Sequence, residues 1–156
     1  MSEVFLSREG YEKLQAELQA LKETERPTVR HALQQARQFG DLAENAEYAA
    51  AKERLLFLEQ RINRLEETLS RVRLLEHEII PSDKVYIGAT VELVDLKTGR
   101  QLRYTLVAPE EADFSAGKIS TVSPIGKGLL GHAAGEEVEI RVPAGLLRYR
   151  IEAISR

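Results

Sequence analysis

Eight residues from the middle of the chain, Tyr48, Ala51, Leu55, Leu58, Ile62, Leu65, Leu69 and Val72, follow one another at alternating intervals of three and four. That spacing puts them on one stripe of an α-helix and holds them there for over three heptads, the pattern of coiled-coil packing. A helix polar on its other faces must lay such a stripe against a partner. Upstream, Tyr11, Leu14, Leu18 and Leu21, then Val29, Leu33 and Ala36, form a second stripe. Glu25 and Pro27 interrupt its register, and Pro27 is expected to kink or break the helix, because it lacks an N–H and its ring presses on the preceding turn. Gly40 lies between the two stripes, where a glycine past a helix end suits a left-handed stop. So short a connection between long helices makes them antiparallel. Residues 1–79 therefore read as an antiparallel coiled-coil helical hairpin with arms of about 30 residues, each roughly 45 Å long at ~1.5 Å per residue.

The chain changes character near Ile79-Ile80-Pro81-Ser82. Before it stand only Gly10, Gly40 and Pro27, and the rest of the ten glycines and five prolines follow, so the second half is punctuated by turns. Ala89-Thr90-Val91-Glu92-Leu93-Val94 alternates, as does Leu102 to Val107, with Lys97-Thr98-Gly99-Arg100 as the turn between them. Lys118 to Val122, Glu137 to Val142 and Leu146 to Ile154 supply three more strands, and Ile125 to Ala133 a short helix. The fold class is α+β: the hairpin followed, over residues 80–156, by a small, mostly antiparallel sheet domain.

A net charge of −3 gives no global pull toward nucleic acid, so any basic surface must be local. No cysteine is present, which removes disulfides, thiolate nucleophiles and Cys-type zinc sites and fits a reducing, cytoplasmic setting. No signal-peptide apolar core opens the chain, and no run approaches the ~18 apolar residues of a membrane span. Tryptophan is absent, which argues against a stacking platform for single-stranded nucleic acid.

The tip of the hairpin, residues 40–48, reads GDLAENAEY, with Asp41, Glu44 and Glu47 at intervals of three. Two readings stand. Asp41 is a good N-cap with Glu44 three residues on, close to a capping box, and acids in a first turn complement the helix dipole. Alternatively, Glu44 and Glu47 share a face, and carboxylates on a projecting tip suit a hard, well-hydrated cation such as Mg²⁺, held by one or two acids plus phosphate oxygens from elsewhere. A tip of this kind would donate ligands to a site in a partner. Arg26, Arg30 and Arg37 on one arm, with Lys52 and Arg54 on the other, are either a solvated face or a patch for nucleic-acid phosphates.

GDLAENAEY with the following Ala49-Ala50-Ala51-Lys52-Glu53, the opening Leu6-Ser7-Arg8-Glu9-Gly10-Tyr11-Glu12-Lys13-Leu14, the segment Glu25-Arg26-Pro27, and the run from Glu111-Ala112-Asp113-Phe114 through Ser123-Pro124-Ile125-Gly126-Lys127-Gly128-Leu129-Leu130-Gly131 together resemble the Gre family of bacterial transcript cleavage factors over nearly the whole chain. The resemblance implies a hairpin that enters the secondary channel of RNA polymerase and a C-terminal FKBP-like domain that docks on its rim. It implies that Asp41 and Glu44 help hold an Mg²⁺ shared with the polymerase, one of two ions ~3.5–4 Å apart, and orient the attacking water, so that the polymerase cuts its own backtracked transcript. It places Arg37 and Lys52 near the RNA 3′ end and Ser123, Pro124 and Ile125 on the docking surface. The factor itself would be a monomer and no enzyme. Ala43 departs from the family, whose members often carry a polar residue there.

Inhibitory Gre homologues that bind the channel without cleavage are the main alternative, but their tips carry clustered aspartates, and this one does not. An adaptor would use the tip acids only as caps. A prolyl isomerase would need an aromatic-lined cavity, and residues 81–156 offer Tyr86, Tyr104, Phe114 and Tyr149. A free-standing hydrolase is opposed by a convex tip without a pocket.

Overall fold

A computed structural model of the chain describes residues 2–41 and 45–156. They divide into two compact units, one of residues 11–72 with Ser2, the other of residues 3–10 with 73–156.

The first unit is a helical hairpin. Helices α1 (Arg8–Ala20) and α2 (Arg26–Arg37) form one arm and α3 (Ala46–Ser70) the other. The apolar stripes meet: Leu14, Val29, Ala36, Ala51, Ile62 and Leu65 are buried, and Tyr48, Leu55, Leu58 and Leu69 are half-buried. Polar partners flank this seam. Arg26 forms a two-pronged pair with Glu59 at 2.8 and 2.9 Å, Arg61 another with Glu17 at 2.7 and 2.8 Å, and Lys22 reaches Glu66 at 3.2 Å.

The expected break at Pro27 takes a different form. The arm runs on through a π-turn, Leu21–Glu25, in which the Arg26 N–H reaches back five residues to the Leu21 carbonyl, and Pro27 follows in the first turn of α2. The stripe explains this. Leu21 to Val29 is eight residues, one more than the heptad interval. In an unbroken α-helix Val29 would swing about 80° off the seam. A π-turn absorbs one extra residue and returns Val29, Leu33 and Ala36 to the seam.

Val72, the last member of the expected seam, belongs instead to strand β2 (Val72–Leu74), which pairs with β1 (Val4–Leu6) in a two-stranded sheet that the sequence reading did not foresee. Three-residue strands are too short to show a period. Ser7 begins α1: its hydroxyl accepts from the Gly10 N–H at 3.0 Å and donates to Glu111, whose carboxylate also takes the Ser7 N–H at 2.8 Å.

The second unit holds a five-stranded sheet in the order β5-β4-β3-β7-β6, from β3 (Thr90–Asp95), β4 (Gln101–Val107), β5 (Lys118–Ser120), β6 (Glu137–Val142) and β7 (Gly145–Ser155). Its pairs are antiparallel except β4–β5, which are parallel. Val91, Leu93, Leu106, Ile119, Val138, Ile140, Tyr149 and Ile151 form its core. The helix expected over 125–133 is α4 (Pro124–Leu129), which buries Leu129. Its closeness to the sheet requires glycine: a Cβ on Gly126 would lie 2.0 Å from the Ser120 carbonyl oxygen. The third strand ends at Ser120, two residues earlier than expected, because Ser120 and Ser123 turn the chain into that helix.

Two outcomes test this account. Deleting Thr24 removes the extra residue of the π-turn but leaves Pro27 inside a continuous α-helix, at a cost of about 3 kcal/mol. The deletion alone is therefore expected to lower Tm, and the deletion combined with Pro27→Ala to restore it. A double variant no more stable than the single deletion would refute the register argument. The Glu17–Arg61 pair supplies a pH dependence. The hydrogen bond from Arg61 holds the Glu17 carboxyl below the usual carboxylate range. Its contribution is thus present at neutral pH and lost as pH falls through the folded-state value. Both side chains are about two-fifths exposed, at 40% and 38%, so the pair is worth no more than ~1 kcal/mol. The Tm gap between wild type and Glu17→Gln should close on acidification, and a gap that stays constant would exclude the linkage.

Candidate functional site

The hairpin tip is built from three local devices. Gln38 and Phe39 donate to the carbonyls of Gln35 and Ala36 at 3.0 and 3.2 Å, tightening the end of α2. Gly40 then takes φ +103°, a conformation closed to most side chains, as a glycine stop requires. Asp41 follows, exposed. Glu44, the second expected ligand, lies outside the described residues.

Asp41 does not cap α3. That role belongs to Asn45, whose backbone is extended (φ −85°, ψ 98°) and whose Oδ1 accepts from the Tyr48 N–H at 3.1 Å. The helix starts at Ala46. The same Asn45 amide donates through Nδ2 to the Ala36 carbonyl of the facing arm at 2.5 Å. Sequence reasoning missed Asn45, although asparagine immediately before Ala-Glu-Tyr is itself a cap signal. Glu47, in the first turn of α3, complements the helix dipole.

The expected basic patch separates into two groups. Arg26 is committed to Glu59, and Arg30 lies 3.9 Å from the same carboxylate. Arg37, by contrast, ends α2 with its guanidinium 5.8 Å from the centre of the Tyr48 ring. Lys52 and Arg54 are exposed on α3. Cations therefore remain near the tip, while those farther back fasten the arms together.

The tip is not wholly convex. Phe39, Asp41, Asn45, Ala46 and Glu47 line a shallow notch of about 450 Å³, and the Phe39 ring is 69% exposed. Among the described residues, no group of three or more acids and histidines could hold a metal ion by itself.

In the second unit, Ser123 caps α4 by accepting from the Gly126 N–H at 3.1 Å and donates its own hydroxyl to the Ser120 carbonyl at 2.6 Å. This fixes Pro124 on the surface and Ile125 half-buried. Ser123, Pro124 and Ile125 line an apolar hollow of about 410 Å³ with Phe114, Ile119 and Val142. A larger hollow of about 780 Å³ includes Ile79, Ile80, Tyr86 and Leu130. The four aromatics do not gather in one cavity. Tyr149 is in the core, Phe114 and Tyr86 line different hollows, and Tyr104 packs 6.1 Å from Phe114. The arrangement does not favour a prolyl isomerase. Among the described residues no helix is long and apolar enough to cross a membrane.

Comparison with known proteins bears on the whole chain. Residues 4–74 match the family model described as transcription elongation factor, N-terminal, and residues 80–156 the one described as transcription elongation factor, GreA/GreB, C-term. The chain is 50% identical over 147 residues to the transcription elongation factor GreA of Chloroherpeton thalassium, covering 94% of this chain and 93% of that one. It is 45% identical over 150 residues to GreA of Thermodesulfovibrio yellowstonii, covering 96% and 95%. Among solved structures, GreA factor homolog 1 of Thermus thermophilus is 34% identical, with 99% of both chains covered and a TM-score of 0.45. With both halves matched in order and relatives this similar over nearly their full length, the chain belongs to the GreA/GreB family of transcription elongation factors.

Proposed function

We propose that this chain binds RNA polymerase, presents its hairpin tip in the secondary channel and stimulates the polymerase's own Mg²⁺-dependent cleavage of backtracked RNA. The observation that carries the reading is the exposed Asp41 at the hairpin tip of a chain that belongs to the GreA/GreB family of transcription elongation factors. The donor chemistry fits Mg²⁺, a hard cation that takes carboxylate oxygens and keeps several waters. Asp41 and Glu44 would supply ligands to an ion shared with the polymerase. When bound, that ion stabilises charge on the reacting phosphate and activates water. The protein's part is to deliver and orient carboxylates, which makes it a cofactor of the polymerase and no enzyme in its own right.

Arg37 and Lys52 stand close enough to the tip in sequence to meet the RNA 3′ end, where their charges would offset the phosphates brought toward Asp41. Ser123, Pro124 and Ile125 are the proposed docking surface, supported by the apolar hollow beside them. A cytoplasmic location follows from such a partner. The inhibitory alternative is less well supported, because the tip carries a single aspartate within Gly40 to Tyr48 and no aspartate cluster.

Backtracked elongation complexes with labelled RNA and Mg²⁺ test the reading. Wild type is expected to release a short 3′ fragment. Asp41→Asn and Glu44→Gln should slow release by about a hundredfold or more, the scale of losing one charge-stabilising group, with helicity and polymerase affinity unchanged. Equal cleavage by wild type and both variants would refute the ligand assignment. Binding without cleavage by wild type would make the protein a channel blocker. For docking, Pro124→Glu should raise Kd for polymerase about tenfold or more while the hairpin keeps its helicity, and an unchanged Kd would remove these residues from the interface.

A further inference from the structure

Asn45 makes two hydrogen bonds that point in opposite directions. Its Oδ1 accepts from the Tyr48 N–H within its own helix at 3.1 Å, and its Nδ2 donates to the Ala36 carbonyl across the hairpin at 2.5 Å. We propose that Asn45 is a positioning residue for Asp41. Its amide ties the last turn of α2 to the first turn of α3 and so sets the base from which Asp41 projects. The inference rests on the cleavage reading above and assigns a role within it.

The chemistry of the two partners fixes the orientation of the amide. A backbone N–H can only donate and a carbonyl can only accept, so Oδ1 must face Tyr48 and Nδ2 must face Ala36. An ordinary cap needs only the acceptor half. Aspartate and serine cap helices as well as asparagine does, but neither can replace it here. Aspartate would set a second acceptor against the Ala36 carbonyl. Serine has one oxygen on a short stem and cannot reach both arms. The amide fork carries a donor and an acceptor on one planar carbon, which suits a residue that must cap one helix and close onto another.

Other contacts converge on the same place. Ala36 is 3% exposed and lies at the end of the apolar seam, so its carbonyl is carried on a well-packed turn. That carbonyl also accepts from Phe39 at 3.2 Å, using its second lone pair. Tyr48, whose N–H Asn45 caps, places its ring 5.8 Å from the guanidinium of Arg37, the residue after Ala36. Asn45 to Ala36 and Tyr48 to Arg37 are thus paired ties between the same two turns. Asp41 lies between the tied residues in sequence, so displacement of either end displaces its carboxylate. Ligand-type catalysis is sensitive to such shifts: about 1 Å can cost ~10²-fold.

The test separates the two halves of the amide. Asn45→Asp and Asn45→Ser both keep a cap for Tyr48 and lose the donor to Ala36. Amide hydrogen exchange, polymerase affinity and the cleavage rate at saturating factor are measured in the full-length protein, with wild type and Asp41→Asn alongside. Both Asn45 variants are expected to keep Tyr48 protection and affinity, to exchange faster at Phe39, and to cleave about ten- to a hundredfold more slowly at saturation. That pattern separates positioning from folding, because a residue that acted only as a cap would leave the saturated rate of both variants unchanged. Wild-type cleavage by either variant, or unchanged exchange at Phe39 in both, overturns the proposal. If Asp41→Asn cleaves like wild type, the ligand reading fails instead, and Phe39 exchange alone decides whether the tie exists.

Discussion

The burial of one apolar stripe against another governs the first unit. Leu14, Val29, Ala36, Ala51, Ile62 and Leu65 can leave water together only if both arms keep those side chains on facing surfaces. The first arm carries one residue too many for this between Leu21 and Val29. A rigid α-helix would have to expose the second half of its stripe, and the chain instead widens one turn into a π-turn. The local geometry is subordinate to the seam. The ion pairs Arg26–Glu59, Arg61–Glu17 and Lys22–Glu66 are the polar flanks of the same contact, and being partly exposed they add orientation more than stability.

A packed seam that runs to the end of the arms also permits a short tip. Ala36 and Ala51 bring the helices close where bulkier side chains would hold them apart. Asn45 can then span the gap with a single amide, and Gly40 can reverse the chain in a conformation that most residues cannot adopt. Asn45 caps α3, and Asp41 is exposed. The second unit shows a similar division. Ser123 fastens the start of α4 to Ser120, and the glycine at position 126 lets the helix lie against the carbonyl of Ser120, leaving Pro124 on the surface beside an apolar hollow.

Much of this was legible in the residues. The 3-4 spacing from Tyr48 onward, Gly40 between two stripes, and the alternation of Thr90 to Val94 and Glu137 to Val142 all correspond to observed elements. These signals repeat over many residues, so that one exception does not erase them. The pairing of β1 with β2 was not legible, because three residues carry no measurable period. The π-turn shows in the sequence only as a break in register, the eight-residue step from Leu21 to Val29, and Pro27 inside that step is equally compatible with a kink. The cap was not legible, because Asp41 and Asn45 are both good N-caps, and propensity alone does not choose between them.

Periodicity is a property of the chain itself, since the α-helix and the β-strand impose their repeats whatever lies opposite. The hairpin, the strands and the acidic character of the turn therefore follow from residue order. Which residue caps α3, which arginines are taken by Glu59 and which stand near the tip, and how the extra residue of the first arm is absorbed depend on distances between atoms far apart in the chain. Those distances exist only once the two arms have packed, because a side-chain amide finds a carbonyl nine residues away only after the seam has brought the two turns together.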